Sequence, residues 1–256
     1  MIQIIKADEL FLEEVNQPPV ELQAEDYLLR VKLLRERMAR LGLTHVVIYG
    51  DREHFASIEY FTRYDCRFEE ALFILDEDGE MSLLVGNEGM GFSQIVPYPV
   101  HRYLYQNFSL QGQPRDQSEI LGKILNRTGI GADSRLGIVG YKYYETPYIT
   151  TDPEKIYDIS HYILEEILAA CPNARNMTKE ITGLPDSIRM TLYSAKEVAW
   201  AESAGNRRAA VEQRMIKNLR PGIREYELSA ANGAGDGFSG GGCAEDGRGV
   251  RALLWV

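Results

Sequence analysis

The sequence predicts an α/β protein: a mixed β-sheet with helices on both faces, followed by a long junction helix. Three observations predict it. A helix-patterned segment feeds directly into a short run of β-branched residues, as happens where helices alternate with a sheet. Two apolar runs then flank a turn built from Asp and Gly. Helix-like and strand-like segments keep alternating until one much longer helical stretch begins near Ser194.

The first element is "AEDYLLRVKLLRERMARLG". Tyr27, Val31, Leu34, Met38 and Leu41 recur at spacings of four and three, which lines one helix face, and Gly42 stops the helix. "THVVIYG" follows as a buried strand. "ALFIL-DEDG-EMSLLVG" reads as a β-hairpin, and "IVPYPV" as an edge strand, because Pro97 and Pro99 exclude a central one. "DQSEILGKILNRTG" predicts a short helix capped by Asp116 and Glu119 and ended by Gly129. "RLGIVG" predicts another buried strand. "TDPEKIYDISHYILEEILAACP" predicts one longer helix, with Asp152 as cap, Pro153 in its first turn and Pro172 past its end.

These elements form one domain over residues 22–185, preceded by an extension at 1–21. "SAKEVAWAESAGNRRAAVEQRMIKNLRPG" opens on Ser194 and Glu197 as a capping box and runs to Leu219 before Pro221 and Gly222. A further helix starts at "REYELSAA". Residues 186–231 are thus the junction helix and the start of a second domain. Residues 232–256, with eight glycines, read as a disordered tail.

Bulk properties exclude several functions. Lys and Arg number 28 against 38 Asp and Glu, for a net charge of -10, whereas nucleic acid and anionic membranes favour clustered cations. No apolar run approaches the roughly 20 residues of a membrane-spanning helix, and the N-terminus lacks the pattern of a signal peptide. Cys66, Cys171 and Cys243 are far apart, with no CxxC, and read as reduced thiols of a cytoplasmic protein.

The candidate site residues are few. The four histidines are read as having neither a second His nor an acidic partner at i+3 or i+4, so each is expected to be a surface or packing residue. His54 is the exception to watch, because "YGDREHFASIEYFTRYDCRFEE" follows a strand, where α/β folds place ligand groups. In that stretch Asp51, Arg52, Asp65 and Arg67 alternate in sign. They read either as a self-neutralising loop network or as a substrate or subunit contact made by His54, Asp65 and Arg67. Arg67 would supply bidentate recognition of a carboxylate. "GIGADSRLG" is not a dinucleotide fingerprint, since Ser134 replaces the third glycine and a strand follows it. No catalytic or metal-ligating set is expected in this chain.

"LRERMARLGLTHVVIYGDREHFASIEYFTRYD" resembles the opening of the creatinase, prolidase and Xaa-Pro aminopeptidase family, with "SIEYFTRY" at an "NIxYLTGY"-like segment and Arg63 where glycine is usual. "SRLGIVG" is similar to a family strand. "LPDSIRMTLYSAKEVAWAESAGNRRAAVEQRMIKNLRPGIREYELSAA" resembles the junction helix and the "PG.TE.EL" segment that opens the metallopeptidase domain. The resemblance implies a ribonuclease-H-like N-terminal domain that forms a homodimer and gates the active site. It implies two divalent metals (Mn, Co or Zn), held by two Asp, one His and two Glu of a downstream pita-bread domain. It implies a proline-containing peptide or a small guanidino or amide substrate where such a domain is present. No position after "REYELSAA" matches those ligands, and no histidine follows His161.

The 256-residue chain is therefore expected to be inactive alone. The alternative is a standalone binding or regulatory module derived from that family. The tail reads as a lost reading frame: Asn-Gly-Ala-Gly-Asp-Gly, shifted by one base, can encode Met-Glu-Leu-Glu-Met-Val, a helical continuation.

Overall fold

The computed structural model describes residues 19–233, apart from Ser118 and Tyr148. The expected extension at 1–21 falls outside them up to residue 18, and the glycine-rich tail from residue 234. The chain divides into two units, one of Gln23–Thr191 and one that contains the stretch from Leu192 onward together with residues 19–22.

In the Gln23–Thr191 unit, α1 (Ala24–Leu41) buries Tyr27, Val31, Leu34 and Met38 and ends on Gly42 at φ 65°. Both results follow from the spacing of those residues and from glycine's freedom at positive φ. Strand β1 (His45–Gly50) is buried throughout. The hairpin forms from β2 (Ala71–Asp76) and β3 (Met81–Val85), paired antiparallel. With β4 (His101–Leu104), β5 (Leu136–Val139) and β6 (Arg175–Asn176) they make one six-stranded sheet in the order β4-β3-β2-β1-β5-β6. Pairing is parallel between β3 and β4, β1 and β5, and β5 and β6, and antiparallel elsewhere.

Side chains alternate along each strand, so the sheet is covered on both sides. Val47, Tyr49, Leu72, Ile74 and Ile138 face a core closed by α4 (Leu121–Arg127) and α5 (His161–Ala170). On the other side α2 (Ala56–Thr62) packs on β1 and β2, and α1 on α2. Phe61 of α2 stacks 6.5 Å from Phe73 at the centre of the sheet.

Three expectations are corrected. "IVPYPV" is not a strand; its prolines hold a connection, and the edge strand β4 starts just past them at His101. The helix expected from Asp116 begins only at Leu121, and Glu119 pairs with Arg127 instead of capping. The helix expected from Asp152 is split. Asp152 caps a single 3-10 turn at Pro153–Lys155, and α5 starts at His161, because the intervening Tyr157 reaches forward to Ala174 and Asp158 back to Lys142. One element had no assignment from the sequence: "ASIEYFT" is α2, with Ile58 and Phe61, three apart, both fully buried against the sheet.

Helix α2 ends on Arg63 in the left-handed region at φ 64°. A side chain there costs roughly 1–2 kcal/mol relative to glycine, partly offset by glycine's looser unfolded chain. Arg63→Gly is expected to raise stability by about 1 kcal/mol, read as a higher urea midpoint; an unchanged or lower midpoint would show that Arg63 makes a compensating contact.

A short helix α6 (Thr178–Thr182) follows β6 in the Gln23–Thr191 unit, and the second unit contains α7 (Ala195–Asn218) and α8 (Glu225–Gly233). Ser194 Oγ accepts from Glu197 N at 3.1 Å, while the Glu197 carboxyl group accepts from Tyr193 N at 2.7 Å. The expected cap forms, with its return bond shifted by one residue. No helix among the described residues is long and apolar enough to cross a membrane.

Candidate functional site

Five of the six strands end at one edge of the sheet; only β2 starts there, with Ala71 opposite Gly50 and Val85. That edge gathers the loop after β1, the residues before β2, the start of α3 (Asn87–Phe92) and the start of α5. It separates the three predicted residues into two places.

His54 belongs to the first. Its Nδ1 lies 3.1 Å from Asp51 Oδ2, and its backbone N–H donates to Asp51 Oδ1 at 2.7 Å. Its ring lies 4.1 Å from that of Tyr141, beyond β5. Burial is the largest single influence on Asp51 and pulls its pKa upward, but the bonds from His54 and Glu53 together outweigh it and hold the pKa below the ordinary value. Behind this pair, Tyr49 Oη lies 3.1 Å from Asp51 and 2.8 Å from Glu70. Ser160 and Tyr162 also donate to Glu70, which thus receives three hydroxyls from two elements. Burial, with Glu70 adding to it, pushes the Tyr49 phenol well above its usual range. The network stitches the start of α5 to β1 and β2.

Asp65 and Arg67 belong to the second place. Asp65 Oδ1 accepts from Arg67 N at 2.8 Å and closes a tight turn with Arg67 at φ 56°. The Arg67 guanidinium lies 4.6 Å from the Phe92 ring centroid. Around it is a cleft of about 320 Å³ walled by Tyr64, Phe68, Glu69, Glu88 and Phe92. Phe68 is 41% exposed at the mouth, and Tyr64 and Cys66 are buried. Burial pushes the Cys66 thiol up, away from the reactive thiolate. Glu69 is 2% exposed and accepts from Glu88 N and Gly89 N at 3.2 and 2.8 Å, which anchors the start of α3.

Among the described residues Asp51, Arg52, Asp65 and Arg67 form no ion pair with one another. Asp51 turns to His54, Arg52 to Glu53 at 3.8 Å, and no carboxylate among the described residues pairs with the Arg67 guanidinium. Glu69 and Glu70 are the site residues that sequence reasoning missed. Adjacent in the chain, they point into different places because successive side chains at a strand's start face opposite ways. A glutamate pair carries no signal of that divergence. His161 was also passed over: Glu165 stands at i+4, 3.4 Å away, in an exposed pair. Among the described residues no group of three or more His, Cys, Asp or Glu can hold a metal ion, so no metal-dependent step is derived from them.

Neither a protein-family model nor a curated protein sequence matches the chain. Solved structures do. The X-Pro aminopeptidase from Thermotoga maritima superimposes with a TM-score of 0.53 at 13% identity, over 79% of this chain and 47% of that one. Dipeptidase PepE from Mycobacterium ulcerans gives 0.52 at 14%, over 83% and 49%. The prolidase from Pyrococcus horikoshii gives 0.51 at 12%, over 79% and 46%. The chain therefore has the α/β fold found in prolidases and Xaa-Pro peptidases. It spans about half the length of those structures, and at this identity the likeness is one of fold.

Proposed function

We propose that the Gln23–Thr191 unit is the N-terminal, dimer-forming and substrate-gating domain of a cytoplasmic Xaa-Pro peptidase-like or creatinase-like protein. In this reading the chain of 256 residues does not hydrolyse Xaa-Pro peptides by itself. The two divalent metals belong to a pita-bread domain, and neither nucleic acid nor membrane is a partner. The fold likeness to a prolidase and an X-Pro aminopeptidase supports the class. The observation that carries the gating role is Arg67, a guanidinium held over Phe92 and ion-paired to no carboxylate among the described residues. Such a group suits a carboxylate arriving from a substrate or from a second subunit.

The test uses glycyl-proline and its C-terminal amide as probes, following the Arg67 Nε–Hε signal by NMR. A saturable shift with the acid, little shift with the amide and none in Arg67→Ala is the expected result. Sedimentation velocity should show a dimer, and glycyl-proline incubated with the chain and Mn²⁺ should stay intact. Equal response to acid and amide would remove the carboxylate role, and hydrolysis would overturn the gating-only reading.

A further inference from the structure

A second cleft, of about 600 Å³, opens beside β6 in the Gln23–Thr191 unit and takes no part in the reading above. Leu41, Pro153 and Met177 give it apolar lining, and Tyr143 and Tyr144 add two phenol rings. Four carboxylates line it, from Glu145, Asp152, Glu154 and Glu180, against two cations, Arg175 and Lys179.

How these charges are spent decides what the cleft can take. Glu180 is engaged by Arg37, whose side chain is 9% exposed. Glu145 is engaged by Lys179 at 2.9 Å. Arg175 lies 3.7 Å from Glu154 and also donates to Leu41 O at 2.9 Å, so it only partly neutralises that carboxylate. Asp152 spends one oxygen on Glu154 N, and no cation among the described residues pairs with it. The surplus negative charge therefore sits at Asp152 and Glu154, on the rim.

The protein's own Lys179 displays the chemistry that fits. Its ammonium lies 5.8 Å from the Tyr143 ring centroid while bonded to Glu145, a cation set between a phenol face and a carboxylate. Tyr144 lines the same cleft as Asp152 and Glu154, so a cation from outside meets a phenol and carboxylates there. The apolar lining suits methylene groups, and the chain's net charge of -10 draws cations towards it. A cleft of this size is in the range that holds a small molecule. We infer that it binds a linear aliphatic polyamine, with one ammonium at Asp152 and Glu154 and its methylenes across Leu41 and Met177.

The test is calorimetric titration of the chain with spermidine at low salt, with amide shifts mapped by NMR on the unsubstituted protein. Saturable binding with shifts at Tyr144, Glu145 and Asp152 is expected. The double variant Asp152→Asn, Glu154→Gln keeps the turn-capping acceptor and should bind about tenfold more weakly. Tyr144→Leu should weaken binding about threefold. Glu80→Gln, which removes an exposed carboxylate elsewhere, should change nothing. The inference is overturned by the absence of saturation, by shifts spread over the acidic surface, or by equal weakening in Glu80→Gln. None of these outcomes touches the Arg67 proposal.

Discussion

Replacing Glu69 by Ala is expected to destabilise the protein by about 2–4 kcal/mol. Its carboxyl group is 2% exposed and accepts the backbone N–H groups of Glu88 and Gly89, which have no carbonyl partner at the start of α3. Truncation leaves both donors without their acceptor. The fit is close: a Cβ on Gly86 would lie 2.7 Å from that carboxyl group. Repacking from the Gly86 side is therefore limited. Glu69→Gln keeps one acceptor and should lose roughly half as much. The urea midpoint measures the total, and amide exchange at Glu88 and Gly89 locates it. A loss below about 1 kcal/mol would mean that α3 holds without this anchor. Helix α3 also carries Phe92, so Glu69→Ala should loosen Arg67 as well as the fold.

Phe61→Ala should cost about 3–5 kcal/mol, a large share of the roughly 5–15 kcal/mol that separates folded from unfolded chains. Phe61 is fully buried, with its ring edge-on to Tyr60 at 5.0 Å and stacked over Phe73. Its backbone carbonyl accepts from Tyr98 Oη at 2.7 Å, a bond the substitution leaves in place. The cost is thus one of lost contact and cavity, and Phe61→Leu should recover most of it. Denaturant unfolding of both variants decides the matter. Equal losses for Ala and Leu would point to backbone rearrangement of α2 in place of a cavity.

The main elements were legible because their signals are local. The four-and-three spacing of Tyr27, Val31, Leu34 and Met38 needs only a helix to line them up, and Gly42 supplies the stop. The Asp-Gly turn between two apolar runs forms the β2–β3 hairpin for a similar reason. The Ser194 cap forms within four residues of chain. Helix α2 was hidden because polar residues surround Ile58 and Phe61, and only the sheet beneath them shows which face is buried. The run from Asp152 failed as one helix because Asp158 finds better partners 16 residues away, at Lys142, than within its own turn.

The candidate site was less legible than the fold. The sequence named His54, Asp65 and Arg67 from one polar stretch, and it determined by itself that they follow a strand. It did not determine that the sheet edge sends His54 to Asp51 and Tyr141, and Arg67 to Phe92. Asp51 is local to His54, but Tyr141 and Phe92 lie in other segments, and which of them meet depends on strand order. Spacing along the chain fixes helices, turns and caps, since their bonds close within a few residues. Only the packed sheet decided that Arg67 would face the Phe92 ring, because two residues 25 apart in the chain meet only if the tertiary fold brings them together.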